Sequence, residues 1–202
     1  MADKNSIFRM TGSSKHSDGE RQIDDFYATD PRTVELFLEK LKEDNVSISR
    51  DLWESACGDG AISDVLKQHG YNVFSTDIRN RNNYADKIYD FLFELDEMPW
   101  HGDIFTNPPF KHAEEFVSLG MRRIPIGNKI ILLLRLQFLE GVARRKLFDQ
   151  YPPKFVYVHS KRQKTYKNND PKYRKEKSGS AVCFAWFIWE RGFCGFPQIR
   201  WI

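Results

Sequence analysis

Trp53-Glu54-Ser55-Ala56-Cys57-Gly58-Asp59-Gly60 carries the chain from a short apolar run, Asp51 to Ser55, through a tight turn into a helical pattern starting near Ile62. A residue without a Cβ lets the backbone turn sharply and approach a ligand closely, and in open α/β sheets that happens at the carboxyl edge of the strands. About 20 residues further on, Asp77 closes a second β-rich run, Asn72 to Thr76, where it can accept hydrogen bonds from both ribose hydroxyls of a nucleoside. Strand, glycine turn, helix, strand and acid together predict a nucleoside-cofactor site. The turn is not GxGxxG, which favours a single nucleoside over a dinucleotide.

The same alternation extends in both directions. Upstream, Asp30-Pro31 opens a helical pattern with Val34, Leu36, Phe37, Leu38 and Leu41 as its apolar positions. Downstream, Lys87 to Tyr89 reads as a weak third strand, Asp103 to Thr106 as a fourth and Lys129 to Leu134 as a fifth. Phe155 to His159 and Ala181 to Trp189 are the last two. A segment without helical pattern joins those two, so they are expected to pair antiparallel, whereas the earlier strands have helical crossovers and run parallel. The expected fold is α/β: a seven-stranded, mostly parallel sheet with an antiparallel last strand, flanked by helices. Residues 1–25 read as a flexible N-terminal arm and residues 26–202 as one domain, since 202 residues suit a single core.

No apolar run approaches the roughly 18 to 20 residues that cross a bilayer. The N-terminus has no basic start followed by an apolar stretch, so a cytoplasmic protein with no membrane partner is expected. Cys57, Cys183 and Cys194 are an odd set without CxxC spacing, which predicts free thiols, no zinc and no other metal. Charge is uneven. Between Ser160 and Gly179 stand eight basic and two acidic residues, which leaves the remainder of a chain of net charge +3 slightly acidic. Lys161, Arg162, Lys164, Lys167, Lys172, Arg174 and Lys175, with Tyr166 and Tyr173 among them, form a candidate nucleic-acid-binding loop outside the cofactor half. A merely solvated loop is the alternative.

Asn107-Pro108-Pro109-Phe110 follows directly on the fourth strand. An exocyclic amine on an aromatic ring is a poor nucleophile because its lone pair is delocalised, and acceptors aimed at its two hydrogens favour the tetrahedral nitrogen that can react. Fixed dipoles then meet the positive charge developing there, with no metal or covalent intermediate needed. Pro109 restricts the backbone, and Phe110 offers a face for stacking on a base.

With these motifs together the chain resembles the class I, Rossmann-like S-adenosylmethionine-dependent methyltransferases. The order of its motifs is similar to that of the adenine-N6 DNA methyltransferases and their small phage-encoded relatives. The resemblance covers about Phe26 to Ile202, with the tetrapeptide and the glycine turn as its specific parts. It implies that Glu54, Ala56, Cys57, Gly58 and Gly60 pass under the methionine part of the cofactor and that Asp77, with Ile78 beside it, holds the ribose. Asp90-Phe91 resembles the motif that binds the cofactor's adenine, with a capping Asp and a core Phe as the plain alternative. Phe26-Tyr27-Ala28-Thr29 resembles the segment closing over the methionine end. In such enzymes the Asn side-chain oxygen, here Asn107, and the next backbone carbonyl, here Pro108, accept from the target amine, with Pro109 and Phe110 completing the catalytic motif. S-adenosylhomocysteine is the product, and a target base within a duplex must flip out to react. If the chain is phage-encoded, it works in the host cytoplasm.

One departure stands out. Sequence-specific members carry a sizeable target-recognition domain, for which this chain has no room, so recognition would fall to the Ser160 to Gly179 segment, the arm or a second subunit. RNA adenine, a protein glutamine amide or a catalytically silent nucleic-acid-binding module are the alternative functions.

Overall fold

Asp30 caps the first helix by accepting from the Arg32 N–H at 3.0 Å, and Pro31, with no N–H to lose, takes the first helical position. In this helix, α1 (Pro31–Glu43), Val34, Phe37, Leu38 and Leu41 are buried, while Leu36 stays half-exposed. The structure is a computed structural model and describes residues 27–93, 98–161, 166–167 and 182–202.

The described strands, in chain order, are β1 (Tyr27–Ala28), β2 (Asp51–Glu54), β3 (Asn72–Asp77), β4 (Lys87–Ile88), β5 (Asp103–Thr106), β6 (Lys129–Arg135), β7 (Phe155–Val158), β8 (Tyr166–Lys167), β9 (Phe184–Glu190) and β10 (Gln198–Trp201). Helices α2 (Ala61–Gln68), α3 (Ala113–Arg123) and α4 (Arg145–Gln150) complete the layers. Eight strands form one sheet in the order β10-β7-β9-β6-β5-β2-β3-β4, and β1 pairs separately with β8. Only β9 runs antiparallel to its neighbours, β6 and β7; every other pair in the large sheet is parallel.

The central strands are apolar throughout because both of their faces are covered. Ile130, Leu132 and Leu134 of β6 pack with Phe116 and Val117 of α3, while Ile131 and Leu133 pack with Val34 and Phe37 of α1. Neighbouring residues divide in the same way: Trp53, Ile104 and Phe187 go to the α3 side, and Leu52, Phe105 and Trp186 to the α1 side. Phe37 stacks on Trp186 with ring centres 4.7 Å apart and planes at 10°, which seats α1 on the sheet. Asp103 ties the amino ends together, accepting from Ser49 N–H at 2.7 Å, Lys129 N–H at 2.8 Å and Asn128 Nδ2 at 2.9 Å. Among the described residues no helix is long and apolar enough to cross a membrane.

The expected mostly parallel sheet, with the strand over Ala181 to Trp189 antiparallel, is what the chain forms, β9 pairing antiparallel with β6 and β7. The large sheet has eight strands rather than seven, because β10 adds at its edge, parallel to β7. The extra strand, β10, is a four-residue edge with Ile199 and Trp201 exposed, too short and too open to display a hydrophobic pattern. It is anchored instead by Arg200, which pairs with Asp44 at 2.8 Å and lies over the Phe155 ring at 4.5 Å. From β2 the chain adds strands in one direction through β3 to β4, and from β5 in the other through β6. The carboxyl ends of β2 and β5 therefore flank the point where the winding reverses, where such sheets open a crevice.

Candidate active site

Beyond Glu54 the backbone folds back on the neighbouring strand. Cys57 N–H donates to the Thr76 carbonyl and Gly58 N–H to Asp77 Oδ2, both at 2.9 Å. Gly58 and Gly60 are left-handed, with φ of 56° and 90°. A Cβ on Gly60 would lie 2.2 Å from the Tyr84 ring, so glycine alone fits both the angle and the space. Asp77 Oδ1 accepts from Arg79 N–H at 3.0 Å. Each carboxylate oxygen has two lone pairs, so a residue tied in this way can still accept from a ligand's hydroxyls.

Glu54 is buried, accepts from the Ser63 hydroxyl, and joins through it to Ser75 Oγ, 2.7 Å away. Burial, reinforced by the negative charges of Asp77 and Asp59, holds its carboxyl well above the usual 4.5. The folded protein then keeps a proton that the unfolded chain releases, so stability falls as pH rises above about 4.5 towards the folded value. Glu54→Gln abolishes the titration but keeps an oxygen for Ser63. It is expected to flatten the pH dependence of the urea midpoint above the ordinary carboxyl value of 4.5, and a variant whose profile superimposes on the parent's would overturn the assignment. Burial also pushes the Cys57 thiol up, so it is not a thiolate nucleophile.

Asn107 leaves the carboxyl end of β5. Its Nδ2 donates to Thr29 Oγ1 at 3.0 Å, which orients the amide with Oδ1 as its acceptor end. Pro109 accepts from His112 N–H at 2.9 Å, closing the short turn from Phe110 to His112 that leads into α3. The Phe110 ring is 5.8 Å from that of Phe184, centre to centre, and the Arg135 guanidinium lies over it at 4.8 Å.

One cavity joins the two motifs. Of the residues singled out from sequence, Thr29, Glu54, Ala56, Cys57, Asp77, Ile78, Asp90, Phe91, Asn107, Pro108, Pro109 and Phe110 line it. Gly58 and Gly60 shape the turn without forming the wall, and Tyr27 and Ala28 form β1 immediately before Thr29. Asp90 Oδ1 accepts from Leu92 N–H at 2.9 Å and Phe91 stacks on Phe116 at 4.7 Å, and both also line the cavity.

Sequence reasoning missed Arg81, Leu92, His112 and Phe116 in the wall. The only signal for Arg81 was its place in the polar run Arg79-Asn80-Arg81-Asn82-Asn83 just after the acid, where Asn82 and Asn83 turn left-handed. Of the basic segment, Lys161 is exposed, and Lys167 belongs to β8, which pairs antiparallel with β1 in the register Tyr27↔Lys167 and Ala28↔Tyr166. Tyr166 and Lys167 are thus joined by backbone pairing to the strip that ends at Thr29. Arg162, Lys164, Lys172, Arg174 and Lys175 lie outside the described residues. Among the described residues, no group of three or more His, Cys, Asp or Glu could hold a metal ion.

No protein-family model and no curated protein matches the chain. Solved structures do resemble it. A modification subunit assigned to a type I restriction enzyme from Vibrio vulnificus aligns with TM-score 0.58 and 14% identity over 98% of this chain and 50% of its own. A protein provisionally described as an RNA methyltransferase, from Pyrococcus horikoshii, aligns with TM-score 0.58 and 12% identity over 96% of this chain and 100% of its own. A protein from Listeria monocytogenes, described as a class I S-adenosylmethionine-dependent methyltransferase, aligns with TM-score 0.57 and 10% identity over 98% of this chain and 69% of its own. The chain has the class I methyltransferase fold. At these identities the likeness is one of fold, and the chain spans half the length of the Vibrio vulnificus subunit.

Proposed function

We propose that this protein transfers a methyl group from S-adenosylmethionine to the N6 amine of adenine in DNA. The observation that carries the reading is the position of Asn107-Pro108-Pro109-Phe110 at the end of β5, facing the same cavity as Asp77 and the glycine turn. The residues present fit that cofactor. Asp77 has acceptor capacity for ribose hydroxyls, Ile78 is 52% exposed at the cavity wall and offers an apolar face to a purine, and Asp90 is placed to accept from an exocyclic amine. The bound cofactor would supply a methyl group on a sulfonium and leave as S-adenosylhomocysteine.

The protein's own residues then act on the target. Asn107 Oδ1, turned by Thr29, and the Pro108 carbonyl accept the two amine hydrogens, which localises the nitrogen lone pair for attack. Phe110 stacks on the base, offsetting part of the cost of taking it out of a duplex. The basic segment favours a nucleic acid over a protein amide but suits either phosphate backbone; the fold shared with the Vibrio vulnificus modification subunit supports DNA, and the Pyrococcus horikoshii neighbour makes RNA adenine the second reading. Incubation with cofactor labelled on its methyl group and, separately, with DNA, RNA and protein decides between them. Label recovered as N6-methyladenine from DNA is expected. Label confined to RNA or to protein glutamine would overturn the DNA assignment.

A second experiment concerns the basic segment. Replacing Lys161, Arg162, Lys164 and Lys167 by Gln should weaken DNA binding and reduce its salt slope by about one unit for each phosphate that is no longer neutralised. Cofactor affinity should persist, because β1–β8 pairing uses backbone groups that the substitutions retain. Unchanged affinity and slope would make the segment a solvated loop.

A further inference from the structure

Arg135 closes β6, directly opposite Phe184 of β9 in the register, and its guanidinium lies 4.8 Å from the centre of the Phe110 ring. The three side chains form one cluster beside the catalytic tetrapeptide. Other arginines have evident acceptors: Arg144 donates to Glu114 Oε1 at 3.0 Å and to the carbonyls of Gln137 and Glu140, Arg123 to those of Phe91 and Phe93, and Arg191 to that of Ile124. Arg135 differs. Its Nε is buried without a hydrogen-bond partner, and among the described residues no carboxylate pairs with it. A buried cationic donor left unmatched is costly, and cation–π contact with Phe110 satisfies charge but no N–H. A planar guanidinium fork in that state suits a phosphate.

We infer that Arg135 binds the phosphodiester adjoining the target base, so that Asn107, Phe110 and Arg135 recognise a nucleotide by its amine, its ring face and its phosphate. The inference rests on the proposed nucleic-acid reading and sharpens it, because a glutamine side chain offers neither ring nor phosphate. Arg135 is not among the residues that line the cavity with Asp77 and the glycine turn, so its substitution should leave cofactor affinity unchanged and thereby report correct folding.

The test is a cycle on a DNA duplex whose methylated adenine has been located, with the phosphate on either side of that adenine replaced in turn by a neutral methylphosphonate. Arg135→Gln should raise KM on ordinary DNA by about tenfold or more with kcat within about threefold, and lower the salt slope by about one unit. One of the two methylphosphonates should impose a similar KM penalty on the parent and little further penalty on Arg135→Gln, because both changes remove the same interaction. Arg135→Lys should recover part of the KM. Penalties that add fully, or a fall in kcat with KM unchanged, would mean that Arg135 only supports the Phe110 ring, and the inference fails. A parent enzyme that labels no nucleic acid in the first step overturns the functional reading itself, and with it this role for Arg135. If label enters RNA alone, the same cycle on RNA decides it.

Discussion

Asn107→Ala is expected to reduce turnover by on the order of a hundredfold or more while changing cofactor affinity far less. The substitution removes an acceptor whose value lies in the transition state, where the amine nitrogen gains positive charge and its hydrogens become more acidic. Nothing else at this position can replace it. The amide reaches the cavity already oriented, because its Nδ2 is held 3.0 Å from Thr29 Oγ1 and Thr29 is itself buried. Thr29→Val should therefore reproduce part of the defect, about tenfold, by leaving the amide free to rotate. Single-turnover kinetics with saturating cofactor, and calorimetry of cofactor binding, separate the two effects. Near-normal turnover by Asn107→Ala would refute the mechanism.

Asp77→Ala should weaken cofactor binding by roughly tenfold to a hundredfold, the equivalent of losing charge-assisted hydrogen bonds worth about 1.5 to 3 kcal/mol. Its carboxylate serves two purposes. Besides facing the cavity, it accepts from Gly58 N–H and Arg79 N–H, so alanine also releases the turn that brings the backbone under the ligand. Asp77→Asn keeps one oxygen but loses the charge and places a donor where one of those N–H groups now donates, so it should bind cofactor more weakly than the parent. Calorimetry on folded variants tests both, and unchanged affinity in Asp77→Ala would remove Asp77 from the site. Because Asn107→Ala removes an acceptor proposed for the target and Asp77→Ala one proposed for the cofactor, their patterns should differ: turnover for the first, affinity for the second.

The residues that were legible in advance share one property: each acts through its immediate neighbours in the chain. Gly58 and Gly60 announce a turn because glycine adopts their left-handed φ at the least cost. Asp77 is recognisable because it ends an apolar run, and the tetrapeptide because it follows another. Arg81, His112 and Arg135 gave no such signal. Arginine and histidine occur throughout polar loops, and what sets these three apart is where the fold brings them: Arg81 and His112 to the cavity wall, Arg135 over the Phe110 ring.

The sequence by itself determined the alternation of strands and helices, the glycine turn, the acid after it and the place of the Asn-Pro-Pro-Phe tetrapeptide at a strand end, because local hydrogen bonding and side-chain periodicity act within a few residues. Tertiary structure alone decided which of these meet. Asn107 and Thr29 are 78 positions apart, and they meet because α1, which Thr29 precedes, packs on β5 through Phe37 and Phe105, whose ring centres are 5.9 Å apart. Likewise, the pairing of β8 with β1, which joins the basic segment to the strip before Thr29, and the addition of β10 to the sheet edge depend on contacts between distant segments. Each such contact exists only if the entropy lost in bringing distant segments together is recovered by burying both faces of the sheet at once, a balance that no short stretch of residues contains.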